Sequence, residues 1–262
     1  MSTLDISIWK LGLSFTLLVI PFLLFAYYKI PLIKGTIIGA IRMVVQLSLI
    51  AVYLEWIFDI NNPYINALWV IVMIFVGVFT IINRSQLEWK SFIIPFFLSS
   101  VTAVVFVDSL FLGLVIDLDY HMDARYLIPI TGMILGNSMN NNIIGLTVYF
   151  KGLKEKQELF YFLKINTNSQ KLALRPFMSE AIRQSLNPMV ATMSVIGLIS
   201  LPGMMTGQIL SGTSPVTAIK YQIMIMLAIF VGCAINIFLS LQFANWKVIR
   251  NGNLNLTSIL KN

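Results

Sequence analysis

Charge is what this sequence has least of. Asp, Glu, Lys and Arg together make up 11% of its 262 residues, about half the share found in a soluble domain. Hydrophobic residues make up 58% and the mean hydropathy is +0.84, so a water-facing surface cannot be covered with polar side chains. That excludes a soluble enzyme and describes a polytopic membrane protein. Cysteine is nearly absent: Cys233 stands alone in an apolar run, which rules out a disulfide framework. Histidine is represented by His121 alone, and neither HExxH nor paired-cysteine spacing occurs, so the usual zinc patterns are excluded. No GxxxxGK[ST] phosphate loop is present, so the chain does not hydrolyse ATP by that route. No nucleophile–base pair falls inside a span. No catalytic residue and no bound cofactor is therefore expected of this chain.

What is there is a series of long apolar runs. Seven reach membrane length, about 20 residues for a helix: 6–28, 36–58, 64–82, 92–116, 127–149, 187–208 and 216–243. The first exceeds a signal-peptide core and is followed by Tyr27-Tyr28-Lys29 rather than a small-residue cleavage site, so it reads as a retained span. The net charge of +7 could suggest nucleic acid, but the placement of the basic residues explains it as topology. With the N-terminus outside, 15 of the 18 Lys and Arg residues fall on the inner side, and only Lys10, Arg125 and Lys220 fall outside. The positive-inside rule then predicts an N-out, C-in chain, with Trp56 and Trp246 at span ends where interfacial aromatics belong. Glu55, Asp59, Asp117, Asp119 and Asp123 fall on outer loops. The stretch DLDYHMD (117–123) holds possible oxygen and imidazole ligands, but no EF-hand-like Gly and Glu follow, and it reads as a solvated loop.

One long polar segment interrupts the apolar pattern. Residues 150–186 lie on the predicted inner side, and Leu153, Leu159, Phe160 and Leu163 alternate there with charge, as in an amphipathic helix lying against membrane or partner. Ser179 has the chemistry of an N-cap leading into the sixth span.

Polar residues within spans are expensive and are read as functional. Arg42 and Gln46 share one face of the second span, preceded by the close-contact pair Gly35 and Gly39; snorkelling to the interface is the plain alternative for Arg42. Asp108, in the fourth span, cannot snorkel far and must be protonated, paired or next to water, with Ser109 as a local partner. The stretch Ser200–Met224 carries Pro202, Gly203, Gly207, Gly212 and Pro215, too many breaks for one plain helix. Either it is a turn between spans, or it is irregular backbone lining a cavity, as in transporter gates. Span five (Gly132, Met133, Gly136, then Asn137) repeats the Gly-Met-x-x-Gly pattern of Gly203, Met204, Met205 and Gly207. Met133, Asn137, Gly203, Met204, Met205, Gly207, Gln222 and Asp108 are therefore the expected pathway or gate residues. Helix packing is the competing explanation for the glycines and methionines.

The segments IPITGMILGNSM (128–139) and SLPGMMTGQILSGTSPVTAIKYQIM (200–224), with Arg42, Gln46 and AIRQSLNP (181–188), resemble the FetB family of bacterial ABC-transporter permeases, and the match runs in order through most of the chain. The resemblance implies a permease subunit of the cytoplasmic membrane that pairs as a homodimer, is served by a separate cytoplasmic ABC ATPase that hydrolyses the ATP, and exports a metal ion, iron first. Plant relatives are tied to aluminium tolerance, with UDP-glucose suggested as cargo. Family members tend to carry a Leu-Gly-Ala-(Thr/Ser)-like turn in the inner segment; here Asn166-Thr167-Asn168-Ser169 stands in its place, and Asn can still take a left-handed turn position. The resemblance further implies coupling to the ATPase through 150–186, with Glu158, Lys164, Lys171 and Arg183 as the expected contacts. Two other readings stay open: a secondary carrier with Asp108 as its proton-coupling group, and a non-transporting scaffold that binds a soluble partner.

Overall fold

The computed structural model describes residues 7–116, 120, 122–250 and 253–254. Asp117, Asp119 and His121 of the acidic loop lie outside the described residues. The fold is all-α. The first apolar run is α1 (Ile8–Ser14), a 3₁₀ turn (Phe15–Leu18) and α2 (Val19–Tyr27); the tight turn comes just before Pro21, which cannot donate to the carbonyl four residues back. Next come α3 (Ile33–Ile60), α4 (Pro63–Arg84) and α5 (Trp89–Leu110). Asn61 ends α3 in the left-handed conformation, and Asn62 caps α4 by accepting the Tyr64 N–H at 2.9 Å, with Pro63 in the first turn. A π-turn (Phe111–Val115) extends α5.

α6 (Ala124–Glu155) starts at Asp123, whose side chain accepts the Arg125 N–H, and runs 32 residues. That is about 48 Å at 1.5 Å per residue, longer than the hydrocarbon core of a bilayer. α7 (Gln157–Thr167) and α8 (Gln170–Val195) form a helical hairpin. Its turn is Asn168 at φ 50°, followed by Ser169, whose Oγ accepts the Leu172 N–H at 3.4 Å. Ser169 is thus the N-cap; Ser179, expected in that role, lies inside α8, because the helix starts ten residues earlier than the sequence suggested. The stretch 187–208 is divided: α8 ends at Val195, Gly197 (φ 87°) turns the chain, and the short α9 (Gly203–Leu210) follows. A second left-handed glycine, Gly212, leads into α10 (Pro215–Val248), after which Ile249–Arg250 pairs with Asn253–Leu254.

Among the described residues, five segments are long and apolar enough to cross a membrane: Ile8–Tyr27, Ile33–Ile60, Pro63–Arg84, Trp89–Leu114 and Pro215–Lys247. α6 and α8 are not among them: α6 carries the buried polar residues Thr131, Ser138, Asn141 and Asn142, and α8 carries Lys171, Arg175, Glu180 and Arg183 along its N-terminal part. α4, α5, α6, α8 and α10 form the body, with Phe92, Phe96, Leu146 and Tyr149 at its centre; the most extensive pairing is α10 with α5. α1–α3 stand aside. α1 and α2 bury no residue, and α3 buries only Ile57, which sits against Ala124 and Ile128 near its end.

Candidate functional site

Two ends of the body can be told apart: α9 sits at one and the α7–α8 hairpin at the other. The α9 end holds a cavity of about 610 Å³. The π-turn contributes Phe111 to it, the first turns of α6 contribute Arg125, Tyr126 and Pro129, α9 contributes Met204 and Gln208, and α10 contributes Tyr221. Asp123 also lines it, with its carboxylate engaged in capping α6. The wall therefore offers an amide, two phenols, a thioether and charges of both signs. It can hold a small polar or cationic solute through several weak contacts. Among the described residues no three His, Cys, Asp or Glu side chains cluster tightly enough for a metal site.

Of the residues expected to form the pathway, the structure brings Met204 to this cavity and adds Gln208 and Tyr221. Met205 points into protein and is buried. Asn137 donates to its own helix, at the Met133 carbonyl, 2.8 Å away, and is exposed. Met133 packs against the core and Gln222 is half-buried beside Tyr221, neither lining the cavity. Gly203 and Gly207 were expected to be close-approach surfaces. A Cβ at either would meet nothing within 4 Å, so within this chain they open the helix rather than seat a neighbour. The close approaches are elsewhere: at Gly232 a Cβ would lie 2.7 Å from Ile134 Cγ2, and at Gly145 it would lie 2.6 Å from Ile237 Cδ1.

Behind the cavity lies Asp108, one helical turn before Phe111. Its Oδ2 accepts a hydrogen bond from Thr131 Oγ1 at 2.5 Å, which makes Thr131 the partner and leaves Ser109 exposed. Oδ1 is buried and has no partner among the described residues. Thr131 begins a polar stripe along the covered face of α6, followed by Ser138, Asn142, Gly145 and Tyr149, all buried. From Thr131 to Tyr149 the stripe rises eighteen steps, about 27 Å, close to the thickness of a bilayer core. Ser138 Oγ approaches Cys233 Sγ at 3.5 Å, and Asn142 donates to the Ser138 carbonyl at 2.9 Å. Tyr149 hydrogen-bonds to Asn245, which donates to Met178 Sδ at 2.9 Å. Asn141 Nδ2, Asn142 Oδ1 and Ser185 Oγ are buried with no partner among the described residues. An orphaned polar atom in so dry a place is costly; three of them around one stretch of α6 and α8 mark a place suited to water or solute.

A nearby group behaves differently. Ser99, Ser100, Asn236 and Ser240 tie α5 to α10: Ser99 and Ser240 Oγ are 2.9 Å apart, and Asn236 donates to Ser100 at 3.2 Å and accepts from Ser99 at 3.3 Å. These groups are satisfied and act as interhelical glue. This group was not singled out in the sequence, although Asn236 and Ser240, four apart in an apolar run, are a legible signal.

Arg42 and Gln46 are both exposed on α3. At the hairpin end Glu158 and Lys171 are exposed and Lys164 is half-buried. Arg183 is engaged by Glu180 at 2.8 Å; its guanidinium, with the Gln184 amide, holds that carboxyl below the usual range.

The comparisons with known proteins give the family. The Uncharacterised protein family UPF0014 matches residues 8–249. The chain belongs to that family. It is 32% identical to the Probable iron export permease protein FetB of Escherichia coli, over 86% of this chain and 85% of that protein. It is 30% identical to the UPF0014 membrane protein YjkA of Bacillus subtilis, over 86% of this chain and 89% of that one. It is likewise 30% identical to Protein ALUMINUM SENSITIVE 3 of Arabidopsis thaliana, over 74% of this chain and 70% of the plant protein. The resemblance read from 128–139 and 200–224 thus extends over residues 8–249. No solved structure matches the chain.

Proposed function

We propose that this UPF0014 chain is the membrane-spanning subunit of an ATP-driven exporter in the bacterial cytoplasmic membrane, with a metal ion, iron first, as its cargo. The relationship to the E. coli protein supports the permease role and the cargo. The observation that carries the ATP-driven part is the α7–α8 hairpin. Phe162 is 62% exposed and Ile165 79% exposed at its tip, three apart and so on one side of α7. The basic residues around the hairpin support a cytoplasmic position for it, where apolar side chains of that size need cover. A separate ATPase subunit supplies the cover and the energy.

The cavity at the α9 end is then the outer mouth. Gln208, Tyr221 and Met204 hold cargo weakly, which suits release. Hard oxygens outnumber the single thioether there, and soft sulfur suits Cu(I) better than iron. Closure of the ATPases would push the hairpin, move α8 against α6 and α10, and open the break at 196–202. The exposed α3 face with Arg42 and Gln46 supports assembly of two permease chains, since a guanidinium in a span needs a polar partner.

The test is reconstitution of the purified chain with its ATPase in proteoliposomes. ATP-dependent iron movement and stimulated ATP hydrolysis are the expected result; neither occurring would remove the reading. A second reading, a secondary carrier, draws on the buried Asp108 with its unpaired oxygen; it requires transport driven by a pH gradient without ATP.

A further inference from the structure

The hairpin end carries a second groove, of about 420 Å³, between α8 and α10. Lys171 and Arg175 line one end of it, and Met178, Ile182, Gln242 and Phe238 line the rest. Lys171 and Arg175 are four apart, on one face of α8. Among the described residues neither meets a carboxylate: the ion pairs found are Lys151 with Glu155 and Arg183 with Glu180.

The depth of these groups is fixed by a hydrogen bond. Asn245 of α10 donates to Met178 of α8, so those two residues lie at one level. Trp246, next to Asn245, is 76% exposed with Lys247 against its ring, the arrangement of an interfacial anchor. From that level Arg175 stands three residues and Lys171 seven toward the hairpin, about 4.5 and 10 Å at 1.5 Å per residue. Phe238 lies seven residues the other way along α10, about 10 Å into the hydrocarbon. Two unpaired cations thus stand at headgroup depth, above an apolar channel that runs down the helix pair.

We propose that this groove binds an anionic glycerophospholipid of the leaflet that borders the hairpin. The phosphate sits on Lys171 and Arg175, the ester region lies at Met178, and one acyl chain follows Ile182 and Phe238 past Gln242. The charge complements a phosphate, and the apolar continuation favours a lipid over a free anion. The inference needs only that the chain spans a bilayer; it does not depend on iron or on an ATPase. It takes Lys171, expected above as an ATPase contact, for the membrane instead.

The test is native mass spectrometry of the full chain released from detergent, titrated with dioleoylphosphatidylglycerol or dioleoylphosphatidylcholine. Wild type should retain the anionic lipid in preference to the zwitterionic one, and 10 mM inorganic phosphate, on the order of many times any lipid added, should not displace it. K171Q/R175Q should weaken retention roughly thirtyfold, while Phe238→Ser should weaken it with the cations intact. Both variants should elute as monodisperse protein; a loss of retention in the charge variant that Lys-for-Arg exchange at 175 restores would exclude misfolding as its cause. Equal retention of both lipids, displacement by phosphate alone, or unchanged retention in the charge variant overturns the proposal. Unchanged retention together with lost ATPase binding would assign the two cations to the protein partner.

Discussion

Thr131 donates to Asp108 across the α5–α6 interface at 2.5 Å and leaves the second carboxylate oxygen buried and, among the described residues, unpaired. The pair stands between the cavity at the α9 end and the polar stripe of α6. It is both a packing contact and the first polar step beyond the cavity wall.

Removing the donor should be costly. Thr131→Val should destabilise the protein by about 1–3 kcal/mol, the usual penalty for a buried polar group that loses its partner. Asp108→Asn in the same background should recover part of it, because a neutral amide tolerates the site better. Thermal unfolding in detergent of the two single variants and the double variant checks this. Additive effects would show that the two groups are not coupled.

The glycines divide into two groups. Gly232→Ala should cost about 1–3 kcal/mol through overpacking against Ile134 Cγ2, and Ile134→Leu, which removes that methyl at equal volume, should relieve it in part. Gly203→Ala and Gly207→Ala, where nothing lies within 4 Å, should leave unfolding unchanged and reveal themselves only in transport. A large stability loss at Gly207 with none at Gly232 would contradict the geometry.

The cavity wall can be tested by substitutions that keep volume. Gln208→Leu and Tyr221→Phe should lower export several-fold with melting unchanged, if each contact is worth about 1 kcal/mol. Met204→Leu, close in volume, should be mild where sulfur only packs and severe where it touches cargo. Iron flux into vesicles reads all three. Full activity in the first two would move the route away from this cavity.

At the hairpin, Phe162→Ser with Ile165→Ser should weaken co-purification of the ATPase while membrane insertion persists. The turn gives a control: Asn168→Gly should be tolerated at φ 50°, whereas Asn168→Val should cost roughly 1–2 kcal/mol because a β-branched residue is strained in the left-handed region. Co-purification that survives the double substitution would place docking elsewhere.

Orientation has its own measurement. In a Cys233→Ala background, single cysteines at 211–214 should react with an impermeant maleimide in intact cells, and those at 152–170 should not. The reverse pattern would invert the topology drawn from the basic residues.

The sequence by itself determined that this is an all-α membrane protein, because low charge and long apolar runs leave no other way to bury the backbone. It also carried the family, through the Gly, Pro and Met spacing at 128–139 and 200–224, and the left-handed turn, since Asn at 168 is one of few side chains that accept that conformation. It could not determine which polar residues meet. Asp108 and Thr131 are 23 positions apart and Tyr149 and Asn245 are 96 apart; only the packing of α5, α6 and α10 brings them together. The same holds for the glycines. Gly203 and Gly232 look alike in sequence, but a glycine matters by what faces it, and helix crossing alone decided that Ile134 faces Gly232 while Gly203 faces open space. Ser179 shows the limit on a local scale: its chemistry suits a cap, yet the helix already begins at Ser169, because the buried faces of Ala173, Leu174 and Phe177 extend the packed helix past it.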